Sequence, residues 1–176
     1  MLRNQYLTLR RRYEPEHVKL VLVAESPPAS GLYFYNPDGR VTEPLFSALM
    51  KQLDVRCDQK SDGLSELQRS GWLLVDATYA PVNRLSDTER RKIIERDFPL
   101  LCDDLLKLTP DRSAPLILIK QNVCRILEPL LTHDRFNVLN RGIVVPFPST
   151  GHQRQFHEKF KSIQLRAVKT RPLEEI

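Results

Sequence analysis

A glutamate directly follows an apolar segment near the start of the chain. Residues 18–24 are almost all aliphatic, and they run into Glu25-Ser26-Pro27-Pro28. Proline lacks an N–H and restricts the residue before it, so this turn cannot continue as a helix. We therefore expect Glu25 on a stiff turn at the end of a strand, where α/β proteins bind their ligands. A carboxylate placed there can orient a water molecule or stabilise a developing positive charge.

Polar residues also follow three later apolar segments, which cover residues 72–76, 115–119 and 142–146. If these segments are parallel strands, their carboxyl ends meet at one edge of the sheet. We therefore expect the polar groups that follow the four strands to converge in one cleft. These groups are Glu25 with Ser26; Asp76 with Tyr79; Lys120; and Ser149 with His152 and Arg154.

Segments with helical spacing of apolar residues separate the four predicted strands. One begins after Pro44, and another follows Ser86 and Glu89, which are spaced as a helix capping box. Strands alternating with helices predict an α/β fold, a three-layer α/β/α domain around a central, mostly parallel, four-stranded sheet. We expect one domain over residues 1–176, with an N-terminal arm or helix at 1–16 and a strand or disordered tail at 164–176.

The composition suits a globular domain with one core. The chain has 176 residues, of which 41% are hydrophobic and 28% charged. No apolar run reaches the ~20 residues that cross a bilayer, and no leader pattern stands at the start, so we expect a cytoplasmic protein without a membrane segment. Cys57, Cys102 and Cys124 lie far apart, with no CxxC pair and no nearby His at ligand spacing. We therefore expect no metal, cofactor or disulfide.

The charge is uneven along the chain. Lysine and arginine together number 27 against 22 acidic residues, a formal net charge of +5. Residues 152–171 contain six lysines and arginines and a single acid, Glu158. This stretch is either solvated surface with a basic tail or a nucleic-acid-binding face. On the second interpretation the partner is a nucleic acid, bound by a monomer.

Three segments resemble, in order and spacing, the motifs of the uracil-DNA glycosylase superfamily. Residues 21–28, Val-Leu-Val-Ala-Glu-Ser-Pro-Pro, are similar to a strand running into Gly-Glu-Ala-Pro-Gly. Residues 72–84 are similar to a strand that ends in Asn and is followed by a Pro-containing loop. Residues 146–154 are similar to a His-Pro-Ser motif with its DNA-inserting loop. The resemblance spans residues 18–163 and implies a DNA-glycosylase-like protein of base-excision repair.

Members of that superfamily flip a base out of the duplex, stack it on an aromatic ring and hydrolyse the N-glycosidic bond. The resemblance implies that Glu25 orients the water or stabilises the cationic sugar, and that Asp76 reads the base edge. It implies stacking of the damaged or deaminated base on Phe34, or on the adjacent Tyr33 or Tyr35. The implied set is Glu25 and Asp76 for catalysis; Ser26, Tyr33, Phe34 and Tyr79 for base binding; and Lys120, Ser149, His152 and Arg154 for DNA binding.

Two departures from the superfamily pattern bear on the chemistry. Asp76 stands where Asn is usual, and an ionised Asp only accepts hydrogen bonds, which favours an amino-bearing base. Phe147 stands where His is usual, which removes a proton-carrying group beside the bond to be broken. Two alternatives therefore stay open: a nucleic-acid-binding member without catalysis, and a hydrolase acting on a free nucleotide or nucleoside.

Each candidate residue also has a structural interpretation. Glu25 can cap loop N–H groups, and Asp76 can cap the turn that follows it. The aromatic residues 33–35 can pin their loop to the body of the protein. Ser149 can cap the last helix, and His152 can be a surface residue.

Overall fold

The computed structural model describes the backbone of residues 2–169 and the side chains through residue 166. Within that range it has six helices and three strands. They are α1 Arg3–Arg11, β1 Leu20–Ala24, α2 Pro44–Gln52, α3 Lys60–Arg69, β2 Trp72–Asp76, α4 Asp87–Leu108, β3 Leu116–Leu118, α5 Gln121–His133 and α6 Gln153–Lys169.

The three strands form one parallel sheet in the order β2-β1-β3. The central strand β1 pairs Ala24 with Asp76 on one side and Val23 with Leu118 on the other. All five residues of β1 are buried, so both faces of the sheet are covered. Such strands read as continuous apolar runs because neither face contacts water. The prediction of an α/β fold with a parallel sheet is confirmed.

The prediction of a four-stranded sheet is not confirmed, because residues 142–146 do not form a strand. Val145 makes a single parallel bridge to the segment after β3, where its carbonyl accepts from Lys120 N at 2.8 Å. The Asn140 carboxamide occupies the edge of β3 instead. Its Oδ1 accepts from the N–H of Leu118 at 2.9 Å, and its Nδ2 donates to the Leu118 carbonyl at 3.0 Å. A side chain thus satisfies the backbone groups that a fourth strand would have paired.

The helices follow the sequence signals at their starts. α2 begins at Pro44, and α4 has the expected capping box, in which Ser86 Oγ accepts from Glu89 N at 3.4 Å. The predicted tail is wrong over residues 164–169, because α6 continues through them; the rest of the tail lies outside the described residues. Within residues 2–169 no helix combines the length and apolar character needed to cross a membrane.

A buried lysine anchors the long loop between β1 and α2. Lys60, at the start of α3, is only 1% exposed. Its Nζ donates to the Tyr33 carbonyl at 3.1 Å and to Glu43 Oε2 at 2.7 Å. The rings of Phe34 and Phe46 lie within 6 Å of the same amine. This ammonium group ties residues 33–43 to the core and fixes the loop that follows Glu25.

Candidate functional site

Glu25 lies one residue beyond β1, and its carboxylate is nearly buried, with 7% of the residue exposed. Lys120 Nζ donates to Oε2, and Asn122 Nδ2 donates to Oε1. A guanidinium nitrogen of Arg90 lies 3.5 Å from Oε1. A buried carboxylate needs such partners, because burial without them is strongly unfavourable. Glu25 and Lys120, both predicted from the sequence, thus meet as an ion pair.

The connection between β3 and α5 places Lys120 and Asn122 beside Glu25. Lys120 is the N-cap of α5 and has a φ of +89°, a left-handed value that favours glycine. A non-glycine residue in a sparsely populated backbone region costs about 1–3 kcal/mol. The backbone turn brings the Lys120 side chain to Glu25 and sets Asn122 in the first turn of α5.

Arg90 is held by the loop that precedes α4. Its Nε donates to the Leu85 carbonyl at 2.8 Å, and another guanidinium nitrogen donates to the Asn83 carbonyl at 3.0 Å. The capping box fixes the start of the helix that carries it. These backbone carbonyls position the guanidinium, so its contact with Glu25 costs little additional side-chain entropy.

The strand order places Glu25 at the switch point of the sheet. From β1 the chain crosses to β2 on one side, and β3 lies on the other. Ligands of open parallel sheets bind outside the carboxyl ends of the strands at such a point. Glu25 follows β1 and Lys120 follows β3, so their ion pair spans this crevice.

A cavity of about 380 Å³ opens beside this ion pair, between the N-terminal ends of α4 and α5. We call it the cationic cavity, because four of the eight residues that line it are basic. The lining residues are Asp87, Arg90, Arg91, Lys120, Gln121, Asn122, Arg125 and Ile126.

Asp76 lies in a different environment. It is 4% exposed, and its Oδ2 is buried with no hydrogen-bond partner among the described residues. Burial raises the pKa of Asp76 to about 7; the nearby Arg10 guanidinium opposes the rise and Asp104 adds to it. The carboxyl therefore exchanges its proton near neutral pH and can act as either a donor or an acceptor.

A buried ion pair lies near Asp76. Arg10 donates to the two carboxylate oxygens of Asp104 at 2.5 and 2.7 Å, a bidentate arrangement. The same guanidinium donates to Tyr79 Oη at 2.9 Å. Burial raises the pKa of the Tyr79 hydroxyl well above its ordinary value. This pair joins α1 to α4 across the end of β2.

A second cavity, of about 370 Å³, is lined by Asp76 and by residues of α1, the loop after β2 and α4. We call it the Asp76 cavity. Its walls include Arg3, Tyr79 and Leu100. The Nε atom of Arg3 is buried and, like Asp76 Oδ2, has no hydrogen-bond partner among the described residues.

The expectation of a single cleft is wrong for the two carboxylates. Glu25 and Asp76 have no hydrogen-bond or ion-pair partner in common among the described residues. Asp76 lines the Asp76 cavity, whereas the three groups that contact Glu25 line the cationic cavity at the N-terminal ends of α4 and α5. The chain therefore has two separate acidic sites.

The aromatic residues proposed to stack on a base are packed in the core. Tyr33 and Phe34 are both buried. Tyr33 packs edge-on against Tyr6 with ring centroids 4.7 Å apart, and Phe34 packs against Tyr35 at 5.0 Å. Neither ring has a free face in this conformation, so stacking on a base requires movement of the loop. Pinning of the loop, the structural alternative, is what these rings do here.

Ser26 connects two loops. Its Oγ accepts from Val82 N at 3.3 Å, and three residues later Ala29 N donates to Asn83 Oδ1 at 3.0 Å. These contacts join the segment after Glu25 to the loop after β2. Ser26 therefore acts here as a structural link between the two loops.

The fourth predicted group, Ser149 with His152 and Arg154, lies at the surface. Ser149 Oγ is 3.4 Å from His152 Nδ1, and Arg154 Nε donates to Glu158 Oε1 at 2.8 Å. The Arg154 side chain is 91% exposed. The segment that carries these three residues begins next to Lys120, because the Val145 carbonyl accepts a hydrogen bond from Lys120 N. The three side chains are free to meet a partner but make no described contact with Glu25 or Asp76.

Sequence reasoning missed Arg90, Arg10 and Asp104. Arg90 stands in the charged run Glu-Arg-Arg-Lys of residues 89–92, and nothing local distinguishes it from its neighbours. Arg10 does carry a signal, since it lies four residues after Tyr6 and so shares a helix face with that buried ring. Asp104 carries a similar signal, since it lies three residues after Leu101 and so shares a helix face with that buried side chain.

No protein-family model matches the chain, and the search of curated proteins finds no match. The resemblance to the glycosylase superfamily therefore depends on the three motifs. Within residues 2–166 no group of three or more His, Cys, Asp or Glu side chains is arranged to hold a metal ion.

Proposed function

We propose that the protein is a DNA-glycosylase-like hydrolase that binds DNA and cleaves the N-glycosidic bond of a flipped damaged or deaminated base. The observation that carries the proposal is the position of Glu25, a nearly buried carboxylate at the switch point of a parallel sheet. Basic side chains surround it and line the cavity next to it. An acid for the sugar and cations for the phosphates thus lie side by side.

The contacts of Glu25 suit two roles in this reaction. A carboxylate offers about four acceptor sites, and three donor groups approach those of Glu25. The remaining site can accept a hydrogen bond from the attacking water. Breaking a glycosidic bond also leaves positive charge on the sugar, which a fixed anion stabilises. Lys120 and Asn122 hold the carboxylate in place while the base leaves.

Affinity for DNA comes from a different set of groups in this proposal. Phosphate contacts position a duplex or a single strand without specifying its sequence. The half-buried Ser149 and the exposed His152 and Arg154 supply such contacts on the segment that starts beside Lys120. Asp76 would read a base only if the base reached the Asp76 cavity, which is separate from the cationic cavity. Its near-neutral pKa would then allow it to bind a base carbonyl or an amino group.

Base release from oligonucleotides tests the proposal. The panel carries uracil, hypoxanthine, xanthine or a mismatched normal base in single and double strands, and abasic sites are scored by alkaline cleavage. We expect release of one base, reduced by about 10²–10⁴-fold in Glu25→Gln. Glu66→Gln is the matched control, since Glu66 pairs with Arg69 on α3, outside the site. No release from any substrate, or equal rates in Glu25→Gln and the parent, would refute the catalytic role.

A catalytically silent DNA-binding protein is the second candidate. Two observations favour it: the buried state of Tyr33 and Phe34, and the exposed Phe147 where the superfamily has His. It predicts binding that weakens steeply with salt, no base release, and unchanged affinity in Glu25→Gln. Oligonucleotide binding measured at several salt concentrations separates it from the first candidate.

A further inference from the structure

The cationic cavity combines four basic side chains in one recess. Arg90, Arg91, Lys120 and Arg125 line it, against one lining acid, Asp87. Arg90 and Lys120 each pair with Glu25, which is not among the lining residues, and Arg91 pairs with Glu95 at 3.0 Å. Even with these acids included, the cations are in excess.

The basic groups keep part of their surface open to the cavity. The side chains of Arg90 and Lys120 are 18% and 29% exposed, although both contact Glu25. Arg91 is mostly exposed, and its pair with Glu95 is a solvent-facing i,i+4 pair, which contributes little to stability. Each can therefore bind an anion in the cavity at small expense to its present contacts.

The start of α5 adds to the positive potential. This helix has 13 residues and no acidic residue in its first turn, and the side chain of its N-cap residue makes no capping hydrogen bond. Its N-cap is Lys120, a cation at the positive end of the helix dipole. Gln121 and Asn122 lie at the cavity wall. An anion in the cavity would offset both the dipole and the clustered cations.

We propose that the cationic cavity is a phosphate-binding subsite adjoining Glu25. Arginine forks match the oxygens of a phosphate in a bidentate manner, and Lys120 supplies a point charge. A volume of about 380 Å³ corresponds to about a dozen water molecules, so a phosphate fits together with part of a sugar. The assignment of that sugar to the nucleotide being cleaved rests on the proposed function, whereas binding of a phosphate group does not.

Binding of inorganic phosphate to the full chain is the direct test, measured by phosphorus NMR and by calorimetry at low salt. We expect saturable binding that weakens about tenfold in Arg91→Ala and in Arg125→Ala, the loss expected for one charge-assisted hydrogen bond. Arg69→Ala is the matched control. It also removes an exposed arginine paired with a glutamate on a helix, but one far from the cavity, and should leave the affinity unchanged.

The source of the phosphate is resolved by three further probes. They are a deoxynucleoside 5′-monophosphate and one oligonucleotide with and without a 5′-phosphate. If Arg125→Ala weakens the binding of only those probes that have a terminal phosphate, the subsite binds a terminal phosphate monoester. Equal weakening for both oligonucleotides identifies an internal phosphodiester. Both outcomes support the subsite.

Two results would overturn the proposal: no binding of inorganic phosphate at low salt, or equal affinities in Arg91→Ala, Arg125→Ala and Arg69→Ala. Fluorescence of Trp72 checks that each variant is folded, and glutamine replacements at residues 91 and 125 stand in for any alanine variant that is not. Base release is scored separately. Phosphate binding without base release supports the phosphate subsite and refutes the proposed hydrolase activity. Base release without phosphate binding supports the hydrolase activity and refutes the subsite.

Discussion

Replacement of Asp76 by asparagine should stabilise the protein most at alkaline pH. The pKa of this carboxyl rises from 3.8 to about 7 in the folded chain, chiefly through burial. The folded chain therefore holds a proton on Asp76, between those two pH values, that the unfolded chain has released. Stability falls as pH rises wherever the folded state binds more protons. Asparagine has nearly the shape of the protonated carboxyl and cannot ionise.

The size of the effect follows from the two pKa values. Each pH unit between them changes the free energy of unfolding by about 1.4 kcal/mol. Between about pH 5 and about pH 8, the stability of Asp76→Asn relative to the parent chain should therefore increase by about 3 kcal/mol. Above the folded-state pKa the difference should become constant. The tyrosines around Asp76 do not interfere, because burial raises the pKa of Tyr33 and Tyr79 far above this range.

Urea unfolding followed by Trp72 fluorescence and circular dichroism measures this difference across the pH range. Asp58→Asn is the control, because Asp58 is an exposed carboxylate outside the Asp76 cavity. Its difference from the parent should change little over the same range. If the curves for Asp76→Asn and the parent run parallel, Asp76 does not change its protonation on folding and the burial argument is wrong. A variant less stable than the parent at high pH would show instead that the carboxylate is ionised and stabilised by Arg10.

Three other substitutions test the contacts that position the sites. Asp104→Ala leaves the Arg10 guanidinium buried without its carboxylate and should cost about 3–5 kcal/mol in urea unfolding; the double variant Arg10→Met/Asp104→Leu should recover most of it, and failure to recover would contradict the pair as the cause. Asn140→Leu leaves the Leu118 N–H unpaired and the Leu118 carbonyl with only the weak Cys124 Sγ donor, and it should cost about 1–3 kcal/mol, so a near-neutral result would mean that other groups satisfy the edge of β3. Lys60→Met removes the anchor of the loop before α2 and should speed its cleavage in limited proteolysis, whereas an unchanged rate would contradict the anchoring role.

The strands could be predicted wherever an apolar run is bounded by polar residues or glycine. β2 occupies the predicted residues 72–76, and β1 and β3 lie inside the predicted segments. The Ser86 capping box also formed as expected. These signals act over a few residues, so the local sequence contains them. Residues 142–146 carried the same apolar signal without becoming a strand, because the Asn140 side chain pairs with Leu118, 22 residues away along the chain, at the edge that a fourth strand would occupy.

Half of the Glu25 site could be predicted in the same way. Glu25 and Lys120 each follow a strand, and parallel strands bring their carboxyl ends to one edge. The ion pair between them is a tertiary contact consistent with that placement. Arg90 could not be found, because its selection from a run of similar charges depends on the carbonyls of Asn83 and Leu85 in a folded loop.

The sequence by itself determined that two carboxylates, Glu25 and Asp76, end two neighbouring strands. The tertiary structure alone decided that they serve different sites. Every position of β1 is apolar and buried, so its pattern does not mark which side chains share a face. The register of Ala24 against Asp76 arises only when the strands pair, and the neighbours of each carboxylate assemble only in the folded chain. One carboxylate is then held by cations and the other is buried without a hydrogen-bond partner for its Oδ2, because Glu25 meets the N-terminal ends of α4 and α5, whereas Asp76 lies near Arg10 of α1 and Asp104 towards the end of α4.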